Sequence, residues 1–499
     1  MKKIFLLFGV GIALSMTSCD SFLDINLDPN SPAQENVNAS LIFPGVEMNL
    51  AASYGDYLRI TGGYLSQHYA QDFGTSNYTD YSQFSISTVR SSGTYTQLTA
   101  KVLLNLETVR KNAKASEEWG TYLAATTLRA FTYQTLVDAY GEIPYTEALD
   151  VSNLSPHFDG GQTVYDGILA ELDEALSKAA PTNLVCTNFL FGTTTADKWI
   201  KFANALKIRI LMRESNVKDV HAELAALISE NNLPTEDVSY NDCWTDNPGK
   251  ASPFYQEEYS PDFGSTQINV VANIAYMQTL VSSNDTVRLA FAFNKSDKGA
   301  YTGAVSGTNM SQTTKFKADY WCRPVFKYNM PVFMMTVSDI EFFKAEYYAR
   351  YGTASDAETH YKAAIKASFT TVGGKETDAA FIYNNAYPYN NANFKKVIGI
   401  QKWIALGMTN NFEAWCELRR LGYPAFGTIT GDDITDQRDV YTPNVYTQGT
   451  LYQPIDVNTD LLGKNKVLQR FMYPESSTSR NINAPVNKLG SEPVFWAVQ

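Results

Sequence analysis

Two long helical stretches with only two residues between them constrain this chain more than any other feature. Over residues 95–114, Leu98, Val102, Leu106 and Val109 recur on one side at helical spacing. Over 117–140, Trp119, Leu123, Leu128, Phe131, Leu136 and Val137 do the same, and Ala124, Ala125 and Ala130 allow close packing. Gly141, with Pro144 beyond it, stops the second helix. A connection that short turns the two helices back against each other as antiparallel neighbours. Similar periodicity predicts helices over 163–178, 196–214, 217–230, 268–281, 338–351, 355–369, 395–408 and 410–421. It also predicts first helices over 40–69, interrupted at Gly62-Gly63. Residues 341–367 carry Ala345, Tyr348, Ala357, Tyr361 and Ala364 at tetratricopeptide-like spacing, small residues for close approach and tyrosines to fill the gaps. The expected fold is therefore mainly all-α. It is a tetratricopeptide-like helical-repeat scaffold over 38–499, with a large loop-rich insertion at about 231–332 and a loop-rich end.

The first residues read differently. Lys2 and Lys3, an apolar run over 4–16 and Thr17-Ser18 describe a secretory leader, and Cys19 directly after the small residue makes it a lipoprotein signal. The run is too short to span a bilayer, which needs about 20 apolar residues. Residues 1–18 are expected to be removed, Cys19 lipidated, and 19–37 to form a polar tether. No later apolar run approaches the length of a membrane span, so the membrane is expected to be met only through that lipid. The formal net charge of −12 argues against nucleic acid and other polyanions as partners. Cys186, Cys243, Cys322 and Cys416 are widely spaced, with no C-x-x-C pair, and read as small buried thiols rather than disulfides.

A search for catalytic chemistry is mostly negative. There is no nucleophile elbow and no phosphate loop. His68, His157, His221 and His360 are scattered and read as surface or capped side chains, so no metal and no cofactor is expected. Glu413 and Glu417 share a helix face and could serve as a glycosidase pair, but Arg419 and Arg420 beside them explain the charges as ion pairs. Asp138, Glu142 and Glu147 flank a turn and read as helix-end residues.

The loops are more telling. A sugar site needs flat rings to stack on and polar groups to hold hydroxyls, and 31 tyrosines give this chain an unusual supply of rings with polar tips. Three loops carry that mixture. One has Asp72, Phe73, Asn77, Tyr78 and Tyr81, a second has Trp244, Asp246 and Asn247, and a third has Trp321 and Arg323. Tyr301, in a Tyr-Thr-Gly turn, joins them as a candidate.

Several segments resemble a known family. TLRAFTYQTLVDAYGEIPYTEALD (127–150), VYDGILAELDEA (164–175), KWIKFANALKIRILMR (198–213), SDIEFFKA (338–345), IQKWIALGMTNNFEAWCELRRLGYP (400–424) and RFMYPESSTSRN (470–481) are similar to the SusD/RagB outer-membrane lipoproteins of the Bacteroidetes. The run 141–149 is the sharpest match, and the turn from Tyr301 to Gly307 is closer to the SusD-like 2 branch. Asp20 and Asp24 after Cys19 resemble the surface-export signal of lipoproteins in that phylum. The resemblance implies a tetratricopeptide-like scaffold and a surface lipoprotein that captures oligosaccharide or another nutrient. It also implies a partner, a TonB-dependent barrel of the SusC type on which the protein sits as a lid. The matched motifs belong to the scaffold, so the resemblance assigns no ligand contact. A lipid-anchored glycoside hydrolase and a structural or adhesive surface protein remain the alternative readings.

Overall fold

Most of the expected helices are present, and a central one is buried from every side. The computed structural model describes residues 39–72, 75–150, 152–179, 182–259, 269–307, 321–436 and 447–498. Cys19, the leader, the tether and Phe73 lie outside the described residues. The principal helices are α1 (Ala39–Gly55), α2 (Tyr57–Leu65), α3 (Leu104–Ala115), α4 (Trp119–Tyr140), α5 (Gly161–Ala179), α6 (Asp197–Glu214) and α7 (His221–Glu230). They continue with α8 (Ile274–Ser282), α9 (Thr286–Ala292), α10 (Val337–Tyr351), α11 (Ala354–Thr371), α12 (Phe394–Thr409) and α13 (Asn411–Leu421). No described helix is long and apolar enough to cross a membrane.

Helix α4 is buried along its whole length from Gly120 to Tyr140, although it carries Thr, Gln, Arg and Asp. The hydroxyls of Thr127, Thr132 and Thr135 donate to the carbonyls one turn back, so they enter the core already satisfied. On one side α5 packs through Arg129–Glu171 and the Tyr122–Glu174 hydrogen bond. The pair α10 and α11 forms the clearest repeat unit. Thr336 and Asp339 make a reciprocal capping box that starts α10, and Thr353 caps α11 two residues after α10 ends. Ala345, Ala357, Tyr361 and Ala364 fill the seam with no exposed surface. His360 stacks on Tyr348 with ring centres 5.1 Å apart.

Three small two-stranded sheets stitch the loops to this scaffold. Strands β1 (Tyr69–Gln71), β2 (Val238–Tyr240), β3 (Val270–Ala272), β4 (Val332–Met335), β5 (Phe426–Thr430) and β6 (Leu451–Gln453) were not expected from periodicity. The antiparallel pairing of β2 with β4 brings the two ends of the loop-rich stretch together. The antiparallel pairing of β1 with β3, Ala70 opposite Val271, ties its middle to the first helices. The helix predicted over 268–281 accordingly begins later, at Ile274, because its first residues are committed to β3.

Two other expectations need correction. Gly62 and Gly63 do not interrupt a helix; they lie inside α2. A Cβ on Gly62 would come within 2.5 Å of the Phe412 backbone, and one on Gly63 within 2.2 Å of the Tyr69 ring. The glycines serve close packing rather than a break. His68 is neither at the surface nor a cap. It is fully buried, stacked on Trp403, with Nε2 3.0 Å from the Trp403 carbonyl. A carbonyl only accepts, so Nε2 carries the proton and Nδ1 accepts from the Asn411 amide at 3.0 Å. Burial drives the His68 pKa down to about 3, keeping the ring neutral.

The helices meet at a buried set of charges. Arg213 of α6 donates to Asp138 of α4 at 3.2 Å, to Glu413 of α13 at 2.7 Å, and to Glu417. Arg420 pairs with Glu346 of α10 at 2.6 Å and with Glu417 at 2.7 Å, while Lys402 of α12 reaches Glu417 at 2.9 Å. Burial pushes Glu417 upward, but Arg420, Lys402 and Arg213 together hold it well below the ordinary carboxylate range. Glu413 and Glu417 are thus sealed in ion pairs at 2% and 3% exposure, which answers the glycosidase reading of their spacing. Glu142 pairs with Arg470 and Lys488, and Glu147 with His157.

Removing one member of a buried network strands its partners in low dielectric, at a cost of about 3–5 kcal/mol. Arg213→Met should therefore lower the urea midpoint sharply. Lys362→Met, which breaks a solvent-exposed pair with Glu358, should change stability by less than about 1 kcal/mol.

Candidate functional site

Helix α1, two loops and a short helix enclose a large cleft. The cleft holds about 840 Å³, within or near the range of small-molecule sites. Met48, Asn49, Ala52 and Asp56 line it from α1 and the turn after it. Phe189 enters from the loop before α6, Trp244, Thr245 and Lys250 from the loop after β2, and Pro253, Gln256 and Glu257 from the helix Pro253–Glu258.

Local chemistry sets each wall. The Phe189 loop is held by its own Asn188, whose amide donates to the Thr193 carbonyl at 2.8 Å and accepts from the Phe191 N–H at 3.0 Å. Gly192 takes the positive φ of +58° that the turn requires. Glu47 of α1 then accepts the N–H groups of Phe189 and Leu190 at 2.7 and 3.2 Å. That carboxyl has no exposed surface, and burial outweighs the two hydrogen bonds, lifting its pKa to about 8. On the other side Trp244 is half-buried, and its indole N–H donates 2.9 Å to the Tyr240 carbonyl, which fixes the ring at the cleft wall. The loop beyond it closes on itself through Thr245 N–H to Lys250 O and Lys250 N–H to Asn247 O, both 2.9 Å, with Gly249 at φ +71°.

The cleft is polar and acidic at one end. Asp56 is pushed up to about 8, first by burial and then by Glu257 and Glu258. Glu258 lies behind the wall, 1% exposed, where it accepts the Tyr78 hydroxyl at 2.7 Å and the N–H groups of Asn269 and Val270. Asn49, Lys250, Gln256 and Glu257 supply donors and acceptors around the two aromatic side chains.

The sequence-derived candidates fall in different environments. Trp244 lines the cleft, whereas Asp246 and Asn247 stand exposed on the loop beyond it. Tyr78 and Tyr81 were read as stacking platforms, but they are 4% and 2% exposed. Their rings stack on each other at 5.3 Å, and Tyr78 also packs on Tyr64, so these rings are committed to the protein interior. Asp72 is buried, its backbone N–H donating to Asn269 at 2.8 Å. Asn77 is exposed and its carbonyl accepts from Arg90. Trp321, the third expected platform, is 3% exposed and packs in a small apolar cluster with Ala70, Val271, Tyr452 and Ile455. Arg323 beside it is exposed, and Tyr301 is half-buried with the Lys295 ammonium 5.6 Å over its ring.

Two of the three loops do meet. Ala272 of β3 donates to Cys322, and Cys322 donates to Thr302, so the Trp321 and Tyr301 segments and the Asp72 segment all border the sheet of β1 and β3. The Tyr78–Glu258 bond connects that region to the back of the cleft helix. Phe189 was missed. Its signal was a pair of aromatics, Phe189 and Phe191, inside the polar run T-N-F-L-F-G-T-T, and it is 41% exposed.

Comparison with known proteins places this geometry. Residues 30–444 match a SusD-like family described as starch-binding and associating with the outer membrane. A SusD homologue from Bacteroides uniformis superposes with a TM-score of 0.72 at 20% identity, covering 91% of this chain and 99% of its own. A chitin-binding protein superposes at 0.73 and 20%, covering 92% and 99%. A SusD/RagB family protein from Bacteroides thetaiotaomicron superposes at 0.70 and 18%, covering 94% and 100%. At these identities the likeness to solved structures establishes the fold. No curated protein matches the sequence.

The Glu47 anchor carries a pH signature. Folded Glu47 keeps its proton up to about pH 8, while the unfolded carboxyl releases it near 4.5. Its contribution to stability is therefore fully present below the unfolded value and is lost as pH rises toward the folded one. The stability of the native protein relative to Glu47→Gln should fall steadily between about pH 5 and about pH 8 and level off above. Urea denaturation of both proteins across that range reads the difference; a flat difference would refute the raised pKa of a buried Glu47 carboxyl.

Proposed function

This chain belongs to the SusD-like family, described as starch-binding and associating with the outer membrane, and we propose that it captures oligosaccharide at the cell surface in the cleft between Phe189 and Trp244. The observation that carries this reading is the pairing, in one cleft of about 840 Å³, of two incompletely buried aromatic side chains with Asn49, Lys250 and Gln256. Sugar rings offer apolar C–H faces to the aromatics and hydroxyls to the polar groups, the combination that a wet carbohydrate site demands. Capture without turnover fits the placement of Glu413 and Glu417, which are occupied by Arg213, Arg420 and Lys402 and do not line the cleft.

In this reading Cys19 carries the lipid, residues 19–37 are the tether, and Asp20 and Asp24 direct the protein to the outer face. The captured sugar passes to a TonB-dependent barrel of the SusC type, over which the tethered domain acts as a lid. Support for that partner comes from family membership together with the lipoprotein signal. The polymer is not specified by the cleft alone. Because one structural relative is named a chitin-binding protein, amino-sugar polymers belong in the screen beside starch.

A glycan screen with the mature protein, followed by calorimetry on the best ligands, tests the reading. Trp244→Ala should weaken binding about tenfold, or ~1.4 kcal/mol, while the melting transition stays cooperative. Full affinity in Trp244→Ala would move the site elsewhere, and failure of every glycan to bind would reject capture of sugars.

A further inference from the structure

Phe189 lines more than one cavity. It also borders a second cleft of about 400 Å³, formed by the same loop, the first turn of α6 and the strand β2 with its flanks. The single side chain shared by the two cavities is thus an exposed aromatic whose backbone, and not its ring, is tied down by Glu47. The second cleft repeats the chemistry of the first. Ser239, Asn241 and Thr235 offer hydroxyl and amide groups, and Phe191 adds another ring at its edge.

The charges of the two chambers are compatible as well. In the second, Lys201 pairs with Asp197 at 3.0 Å and Lys198 with Glu236 at 3.6 Å, so both lysines there already have carboxylate partners. Asp237 accepts from Val337 and Thr371. Asp242 adds a further carboxylate at its edge. In the first chamber Asp56 and Glu257 face a single lysine, Lys250. The surplus in the second chamber is negative, while in the first Asp56 keeps its proton up to about pH 8 and Glu257 balances Lys250, so the groove as a whole repels uronates and sulfated sugars and admits neutral or amino sugars.

We propose that the two cavities are chambers of one groove, with Phe189 as the ridge between them, and that the groove holds a linear neutral or amino-sugar oligosaccharide long enough to lie across that ridge. This rests on the reading of the Trp244 cleft as a sugar site and adds to it a second subsite, a minimum ligand length and a charge preference. A short oligosaccharide fills the larger chamber alone. A longer one crosses Phe189 and gains the hydroxyl contacts of the smaller chamber, so affinity climbs with length until both are occupied.

Calorimetry with ladders of malto-oligosaccharides and chito-oligosaccharides, from disaccharide to heptasaccharide, and with an oligogalacturonate ladder, tests this. The native protein should bind heptasaccharide more tightly than disaccharide in at least one neutral or amino-sugar ladder, and oligogalacturonate weakly at every length. Phe189→Ala, which removes the ring that both chambers share, should weaken the heptasaccharide by a larger factor than the disaccharide and so flatten the rise of affinity with length. Thr235→Trp, at an exposed position that fills the second chamber, should abolish the length dependence while leaving the disaccharide unaffected. Equal losses on short and long ligands, or none in either variant while Trp244→Ala loses both, would overturn the second chamber and leave the first standing. Oligogalacturonate bound as tightly as the neutral ladders would overturn the charge preference. Binding of no ladder at any length would reject the sugar reading itself, and the second chamber with it.

Discussion

The buried ion network around Arg213, Arg420 and Lys402 is the constraint on which the rest of this structure depends. Asp138, Glu346, Glu413 and Glu417 answer these cations from helices α4, α10 and α13, and the cations come from α6, α12 and α13. Charges taken out of water are tolerated only when every partner arrives in register. Five helices distant in sequence are therefore locked at fixed positions relative to one another. Aromatic residues close the network on its flanks. The Arg419 guanidinium lies 3.4 Å over Trp415 and 4.8 Å over Trp496, and its remaining N–H groups donate to the Gln469 and Asp138 carbonyls.

That rigidity is what allows the loops to carry the candidate site. The cleft is not lined by the network helices. It lies between α1, two loops and a short helix, the last three each attached to the scaffold by a specific bond. Glu47 holds the Phe189 loop, Tyr240 holds Trp244, and Tyr78 with two backbone N–H groups holds Glu258 at the base of the short helix. A binding surface on loops over a fixed framework can change its ligand by changing a few side chains while the framework is left alone. The same division explains how solved structures at about one-fifth identity superpose over nearly their whole length.

The aromatic loops show how far local sequence reaches. Tyr78, Tyr81 and Trp321 sit among Asp, Asn, Ser and Arg, just as Trp244 does, and the four look equivalent on paper. In the folded protein the first three are core residues and Trp244 faces a cleft. A loop has no period of 3.6 or 2 to mark an inward side, so the burial of each ring is set by what packs against it from elsewhere. For Tyr78 that is Glu258, 180 residues away. For Phe189 it is Glu47, which holds its backbone and leaves its ring outside.

The sequence by itself determined most of the helices and the pairing of neighbours, because those depend on spacing and connection length, both local quantities. Gly141 as the stop of α4 and the short links before α4 and α11 could be read directly. The ion-paired reading of Glu417 and Arg420 was local too, as they lie one helical turn apart. Only the tertiary structure decided that Arg213, 204 residues from Glu417, completes the set, that His68 is a neutral core residue, and that Phe189 and Trp244 come to border one cleft. Those outcomes are contacts between distant segments, fixed by desolvation and packing, and no short stretch of sequence contains the partner that sets them.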